Sequence, residues 1–218
     1  MAPLRYPVNA SSGDFDPVPA GSHIAVCDIV ADLGMQPGSG IYPKDRPKVY
    51  LGFQLPNERV EFTKDDRKMS GPRKIGQIYT ASMNEKANLR QHLEAWRGRE
   101  FTDEEAAGFD ISAVLGKPCM LMVMHSKKEK RTYANISGLG PLPKGINPRT
   151  IISEGEPILY TPDNTSTYVR LPEWLQQKID DQIVQEPATA AAARPSPDSE
   201  PPVEAYDSIG ITDEDIPF

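Results

Sequence analysis

A small, mainly β barrel with added helices is the fold that this 218-residue sequence predicts, and three observations predict it. Apolar residues alternate from Lys48 to Leu55: Val49, Leu51, Phe53 and Leu55 fall on one face, and Lys48, Tyr50, Gly52 and Gln54 on the other, which is the period of a strand with one buried side. Further runs of strand character flank it, separated by glycine and proline breakers. A well-marked helix stands between the third run and the fourth.

Residues 1–21 are rich in Pro, Ser, Gly and Asp and read as an extended arm, with Tyr6 and Phe15 as anchors. The apolar stretch from His23 to Leu33 is a long first strand ended by Gly34, and Met35 to Pro47 is a loop broken by Pro37, Gly38, Gly40, Pro43 and Pro47. Pro56 stops the second strand. A charged loop from Asn57 to Pro72 leads to a third strand, Arg73 to Ala81. Ser82-Met-Asn-Glu85 has the form of a capping box, after which Leu89, Leu93 and Trp96 recur at helical spacing before Gly98. Thr102-Asp-Glu-Glu and Asp110-Ile-Ser-Ala suggest short helical turns. Pro118 opens a fourth strand, Cys119 to His125, and the loop Ser126 to Arg131 joins it to a fifth, Thr132 to Ser137, closed by Gly138 and Gly140.

Three strands, a helix, then a two-stranded hairpin is the element order of an OB-fold, in which five strands close a small barrel and the helix plugs it. Beyond Pro143, Ile151 to Tyr160 reads as an added strand, and Pro172 opens a helix whose Leu175, Ile179 and Ile183 form one stripe beside Trp174. The expected organisation is an extended arm at 1–21, an OB-fold DNA-binding domain at 22–145, a C-terminal extension with a helix at 146–186, and a disordered acidic tail at 187–218, whose Pro, Ala, Ser and acid content cannot offset ordering entropy.

The formal charge of −7 argues at first against a nucleic-acid binder. Its distribution reverses that. From Pro187 to Phe218 seven acids (Asp198, Glu200, Glu204, Asp207, Asp213, Glu214, Asp215) stand against one base (Arg194), a net of −6 that leaves −1 for the remaining chain. A positive patch on a near-neutral body is then feasible. The start of the chain has no apolar h-region and no run approaches membrane-spanning length, so neither a secretory signal nor a membrane partner is expected. Cys27 and Cys119 lie in strand-like runs outside any CxxC and are expected buried and reduced. A cytoplasmic location follows by elimination.

Signs of catalysis are thin. There is no GxxxxGK[ST], no HExxH and no Cys/His cluster with metal spacing, so neither an enzyme nor a cofactor or metal is expected. His23, His92 and His125 read as a strand edge, a helix surface and a strand end. Asp65/Asp66 and Glu104/Glu105 read as solvated loop and helix-start residues rather than metal ligands.

OB-folds bind nucleic acid across the second and third strands and under the first and last hairpin loops. The candidate DNA-binding residues are therefore Tyr42, Lys44 and Arg46 in the loop after the first strand, Lys48 and Tyr50 on the outward face of the second, Arg73, Lys74 and Tyr79 on the third, and Lys127, Lys128, Lys130, Arg131 and Tyr133 at the last hairpin. Basic residues track phosphates, and each base stacked on a ring contributes roughly 1–3 kcal/mol. Lys127 to Arg131 read equally well as a solvated turn, and alternation favours the core for Tyr79. Tyr50 and Tyr133 are the better stacking candidates, each out of phase with a buried set, Val49/Leu51/Phe53 and Ala134/Ile136. Met120, Met122 and Met124 are expected to pack on the barrel or the C-terminal helix, with a subunit contact as the alternative.

The end of the chain is the sharpest signal. Asp215, Ile216, Pro217 and Phe218, preceded by Asp213 and Glu214, resemble the acidic tip of bacterial single-stranded DNA-binding proteins, although the linker here is rich in Pro and Ala where that family's is often rich in Gly or Gln. The resemblance implies a protein-docking tip: Phe218 offers a ring and a carboxylate together, and Pro217 limits the entropy lost on docking. The segment from Tyr79 to Gly98, with Gly116-Lys-Pro118-Cys, is also similar to a group of phage-encoded replication proteins assigned as single-stranded DNA binders, over roughly residues 20–145. Its matching motifs are structural and imply no particular DNA contact.

The expected function is binding of single-stranded DNA with little sequence preference in replication, recombination or repair, with replication and recombination proteins recruited by the tip and self-association along DNA. If the chain is phage-encoded, its place is the cytoplasm of an infected bacterial host. The alternatives are a double-stranded DNA-binding or architectural protein using the same patch, and a protein adaptor that copies a host tip peptide.

Overall fold

A computed structural model describes residues 16–38, 43–64, 67–128 and 131–183, with the backbone alone at 62–64, 67 and 128. The arm at 1–15, Tyr42, Asp65/Asp66, Lys130, and the tail with its tip at Asp213 to Phe218 lie outside the described residues.

Five strands pair antiparallel in the order β3-β2-β1-β4-β5: β1 (Gly21–Gln36), β2 (Arg46–Lys64), β3 (Arg67–Thr80), β4 (Pro118–Lys128) and β5 (Arg131–Gly140). A short β6 (Ile158–Tyr160) adds to β1 in parallel. The N-terminal half of β1 pairs with β4, from Gly21↔Val123 to Val26↔Pro118, and its C-terminal half with β2, from Val26↔Gln54 to Gln36↔Arg46. A register shift between Cys27 and Ile29 marks the bend between the halves. The sheet thereby curls into a half-barrel whose outer strands, β3 and β5, approach each other without pairing. With α1 (Asn88–Arg97) between β3 and β4, this is the mainly β, OB-like architecture that the element order predicts.

The alternation of β2 builds the interior. Val49, Leu51, Phe53 and Leu55 are buried with Cys27 and Val30 of β1 and Cys119, Leu121 and Val123 of β4, and Leu89, Leu93 and Trp96 of α1 close the layer. Each of the larger side chains contributes about 1.5–3 kcal/mol by leaving water. Trp96 donates Nε1–H to the Pro118 carbonyl at 2.9 Å, which satisfies its polar atom. Both cysteines are free and buried; desolvation pushes the Cys119 thiol up to about 12 and raises Cys27 as well, so both stay protonated.

Local chemistry moves several boundaries. Gly34 does not end β1: with φ at 65° and its amide on Asp32 Oδ1 at 2.8 Å, it forms an irregularity, and the strand runs on to Gln36. Ser82 to Glu85 do not cap a helix. The Ser82 hydroxyl and the Asn84 side chain accept instead from the amides of Asn84 and Lys86, at 3.3 and 3.1 Å, which commits the segment to turns, and α1 starts at Asn88. The capping box stands at Thr102 and Glu105, where it opens α2 (Asp103–Ala107), and Asp110 caps a 3-10 turn, Ile111–Val114. The expected charged loop from Asn57 to Pro72 is a continuation of β2 and β3 past a register shift at Leu55/Arg59, paired out to Lys64↔Arg67.

A second apolar layer lies on the outer face of the sheet. Ile29, Ala31 and Leu33 of β1 and Tyr50 of β2 are buried under Tyr160 of β6, Leu171, and Leu175 and Ile179 of α3 (Glu173–Asp180). Ile183 falls beyond the helix, where its amide donates to the Met35 carbonyl at 2.8 Å. The extension is also fastened by Gln54, whose side-chain amide donates to the Glu154 carbonyl at 3.0 Å and accepts from the Glu154 amide at 2.8 Å. Among the described residues, no helix is long and apolar enough to cross a membrane.

His92 of α1 sets a pH dependence. Its Nδ1 lies 2.8 Å from the Tyr79 hydroxyl, and burial lowers its pKa below the ordinary imidazole value. A histidine shifted this way supports the fold above its unfolded pKa and withdraws that support as pH falls toward its folded pKa. Thermal melts from about pH 7.5 to about pH 5 are expected to show a smaller loss of Tm in His92→Gln than in the wild type. Equal losses would remove His92 from the acid response.

Candidate nucleic-acid interface

The structure separates the predicted residues into three groups. Lys44 and Arg46 are exposed near the C-terminal end of β1, where Arg46 pairs with Gln36, and Lys48 beside them is half-buried with Nζ donating to Thr80 Oγ1 at 2.9 Å. Tyr50, Lys74 and Tyr79 lie within the protein. Arg73, Lys127, Arg131 and Tyr133 gather near the opposite end of β1: Arg73 donates to the Asp16 carbonyl, and His125, just before the hairpin tip, donates to the Val18 carbonyl at 2.7 Å. The register therefore does not bring the first-loop basics onto the hairpin basics.

The inner group corrects the sequence reading. Tyr50 does point away from the barrel interior, as its alternation requires, yet it is only 3% exposed. Its ring lies across Gly76 and meets Trp174 edge-on with centroids 5.2 Å apart, so the extension occupies the place expected for a stacked base. Lys74 is bonded to the buried Asp28 carboxylate, Nζ to Oδ2 at 2.6 Å, and Gln54 Nε2 donates to the same oxygen at 2.8 Å. Its charge is balanced inside the protein rather than offered to a phosphate. Tyr79 is 2% exposed in the interior core.

The β4–β5 hairpin keeps the expected character. Lys127 and Arg131 are exposed, and neither is in an ion pair among the described residues. Tyr133 is 45% exposed opposite Ser126. Although the chain has 31 Asp and Glu, neither Pro118–Lys128 nor Arg131–Gly140 contains one. The methionines differ from expectation: Met122 and Met124 are 52% and 62% exposed instead of packed on the barrel or α3. Alternation assigned them a face but does not say whether that face is covered.

The chain matches no family model, no curated protein and no solved structure. Fold and surface chemistry must therefore carry its functional reading. A separate concavity of about 860 Å3 is walled by Trp96, Phe101, Phe109 and Leu142 with Lys117 and Lys144 among its lining residues. Glu105 on its wall is held down to about 2, by Arg99 foremost and then by the Thr102 amide and Arg97, so this carboxylate fastens α1 to α2 and is not a poised proton acceptor.

Proposed function

We propose that this chain binds single-stranded DNA with little sequence preference and brings replication or recombination proteins to it through the acidic segment Asp213 to Phe218. The observation that carries the reading is the basic β4–β5 hairpin, whose two strands contain no acid and whose turn sequence, Lys127-Lys-Glu-Lys-Arg131, is four basic residues to one acid; it offers Lys127, Arg131 and an exposed Tyr133 on an OB-like half-barrel. Exposed cations neutralise phosphates, and an exposed ring accepts any base because every base has a π-face. The segment Asp213 to Phe218 supports the second half of the proposal through its acids and the Ile-Pro-Phe that follows them.

The test is a titration of labelled unpaired and duplex oligonucleotides with full-length protein at several salt concentrations. Unpaired DNA is expected to bind more tightly, and Lys127→Ala/Arg131→Ala to reduce the salt slope by about 1.4, the loss of two phosphate contacts on a single strand. Removal of residues 213–218 is expected to leave DNA affinity equal or higher and to abolish binding to purified proteins that recognise the bacterial acidic tip. Preference for duplex would favour an architectural role; no binding to either DNA, with tip recognition intact, would leave only an adaptor.

A further inference from the structure

We infer that the unpaired strand lies on the outer face of β4 and β5, with Tyr133 as the stacking ring and a floor made by Met122, Met124, Gly138 and Gly140. The inference rests on the single-strand reading and assigns its site. Directly opposed residues of an antiparallel pair share a face, so Ser126↔Tyr133, Met124↔Asn135, Met122↔Gly138 and Met120↔Gly140 lie together. The bond from Asn135 Nδ2 to Ser126 Oγ, 2.8 Å, runs across that same surface.

The two glycines are the decisive feature. Neither has a positive φ. A Cβ at Gly138 would meet only Met122 Sδ, at an ordinary 3.7 Å, and one at Gly140 would meet nothing within 4 Å. Neither a positive φ nor internal packing calls for glycine; Gly138 flanks the register shift at Met122/Val123 and Gly140 is the last residue of β5, and together they keep the surface low enough for close approach by another molecule. Gly76 shows the contrast, since the space left by its missing Cβ is filled by Tyr50.

The chemistry of the face selects the visitor. Two soft thioethers and a ring stand in water, while the outer face of β1 and β2 is roofed by the protein's own extension. Both strands lack carboxylates and carry Lys127 and Arg131 near the turn that joins them, where four basic residues outnumber the single Glu129, so the complementary ligand is flat, apolar on its faces and anionic along its edge. An unpaired polynucleotide has that form. The face also accounts for the burial of Tyr50, because a platform on β4 and β5 leaves β2 free to be covered.

The test uses full-length protein and a fluorescent oligothymidine. Gly138→Val adds a branched side chain to the floor at a position with room for it, and is expected to keep the wild-type Tm and elution volume while weakening binding about tenfold or more. Tyr133→Ala is expected to lose a similar factor and Tyr133→Phe to retain wild-type affinity, so the inference stays testable even if the valine disturbs the strand. If the wild type binds and all three variants bind as tightly, the platform is elsewhere and only this inference fails. A change in the oligomeric state of the free variants, with DNA affinity unaltered, would give the face to a second copy and overturn it equally. Wild-type protein that ignores unpaired oligonucleotides would remove the single-strand reading along with the site.

Discussion

Replacing Gly76 by alanine is expected to destabilise the protein by about 3–5 kcal/mol, an effect usually associated with emptying a core position. A Cβ at residue 76 would stand 2.1 Å from Tyr50 Oη, 2.4 Å from Cζ and 2.7 Å from the ring edge. The ring has little room to move aside, because it already lies over Gly52 as well, in space that a Cβ there would occupy, and Trp174 meets it edge-on. The substitution must therefore expel Tyr50 or lift α3, and either outcome returns buried aromatic surface to water. Urea denaturation checks the magnitude, and the emission of Trp174 reports whether α3 lifts. Because one contact underlies both losses, Tyr50→Ala/Gly76→Ala is expected to be much less destabilised than the sum of the single variants. Gly76→Ala within about 0.5 kcal/mol of wild type would show that the ring is not wedged.

The same tyrosine shows how far the sequence could be read. Alternation along 48–55 located the interior correctly, since a strand with one dry face writes its burial into every second residue. It also set Tyr50 on the other face. What it does not encode is the cover, which Trp174, Leu175 and Ile179 bring from the far end of the chain. The arm beyond Leu55 was hidden for the converse reason: Asn57, Arg59 and Glu61 are exposed, and the residues between them, Pro56, Glu58 and Val60, are only half-buried and include a proline and a charge, so no apolar period marks the strand and it reads as loop. Ser82 to Glu85 satisfy the capping pattern, but Asn84 offers a competing turn that the pattern does not weigh. In the hairpin, Lys127, Arg131 and Tyr133 were legible from charge and phase, whereas Met122 and Met124 were not, because a methionine at an alternating strand position looks the same whether its face is covered or bare. One clue stood in the sequence unused. Asp28 interrupts the most apolar part of the first strand, Ile24 to Ala31, and a buried carboxylate requires a partner; that partner is Lys74.

Lys74 gives the second large effect, and it decides whether the residue belongs to the fold or to DNA. Lys74→Ala leaves the Asp28 carboxylate, whose side chain is 4% exposed, with the Gln54 amide at Oδ2 and no hydrogen bond to Oδ1 among the described residues. Breaking one side of such a pair costs about 3–5 kcal/mol, since a desolvated charge remains without its counter-ion. The loss is expected in the urea midpoint. Asp28→Asn/Lys74→Met, which removes both charges and keeps the amide and the alkyl chain, is expected to recover most of it, because burying the pair is itself expensive. A lysine that held phosphate would behave in the opposite way: its alanine variant would keep the midpoint and lower the salt slope of single-strand binding by about 0.7. Lys127→Ala/Arg131→Ala provides the matched control, with exposed side chains whose loss is expected to change the midpoint little and the DNA affinity strongly. A stable Lys74→Ala protein with weakened DNA binding would return β3 to the interface and place the strand across the face that the extension now covers.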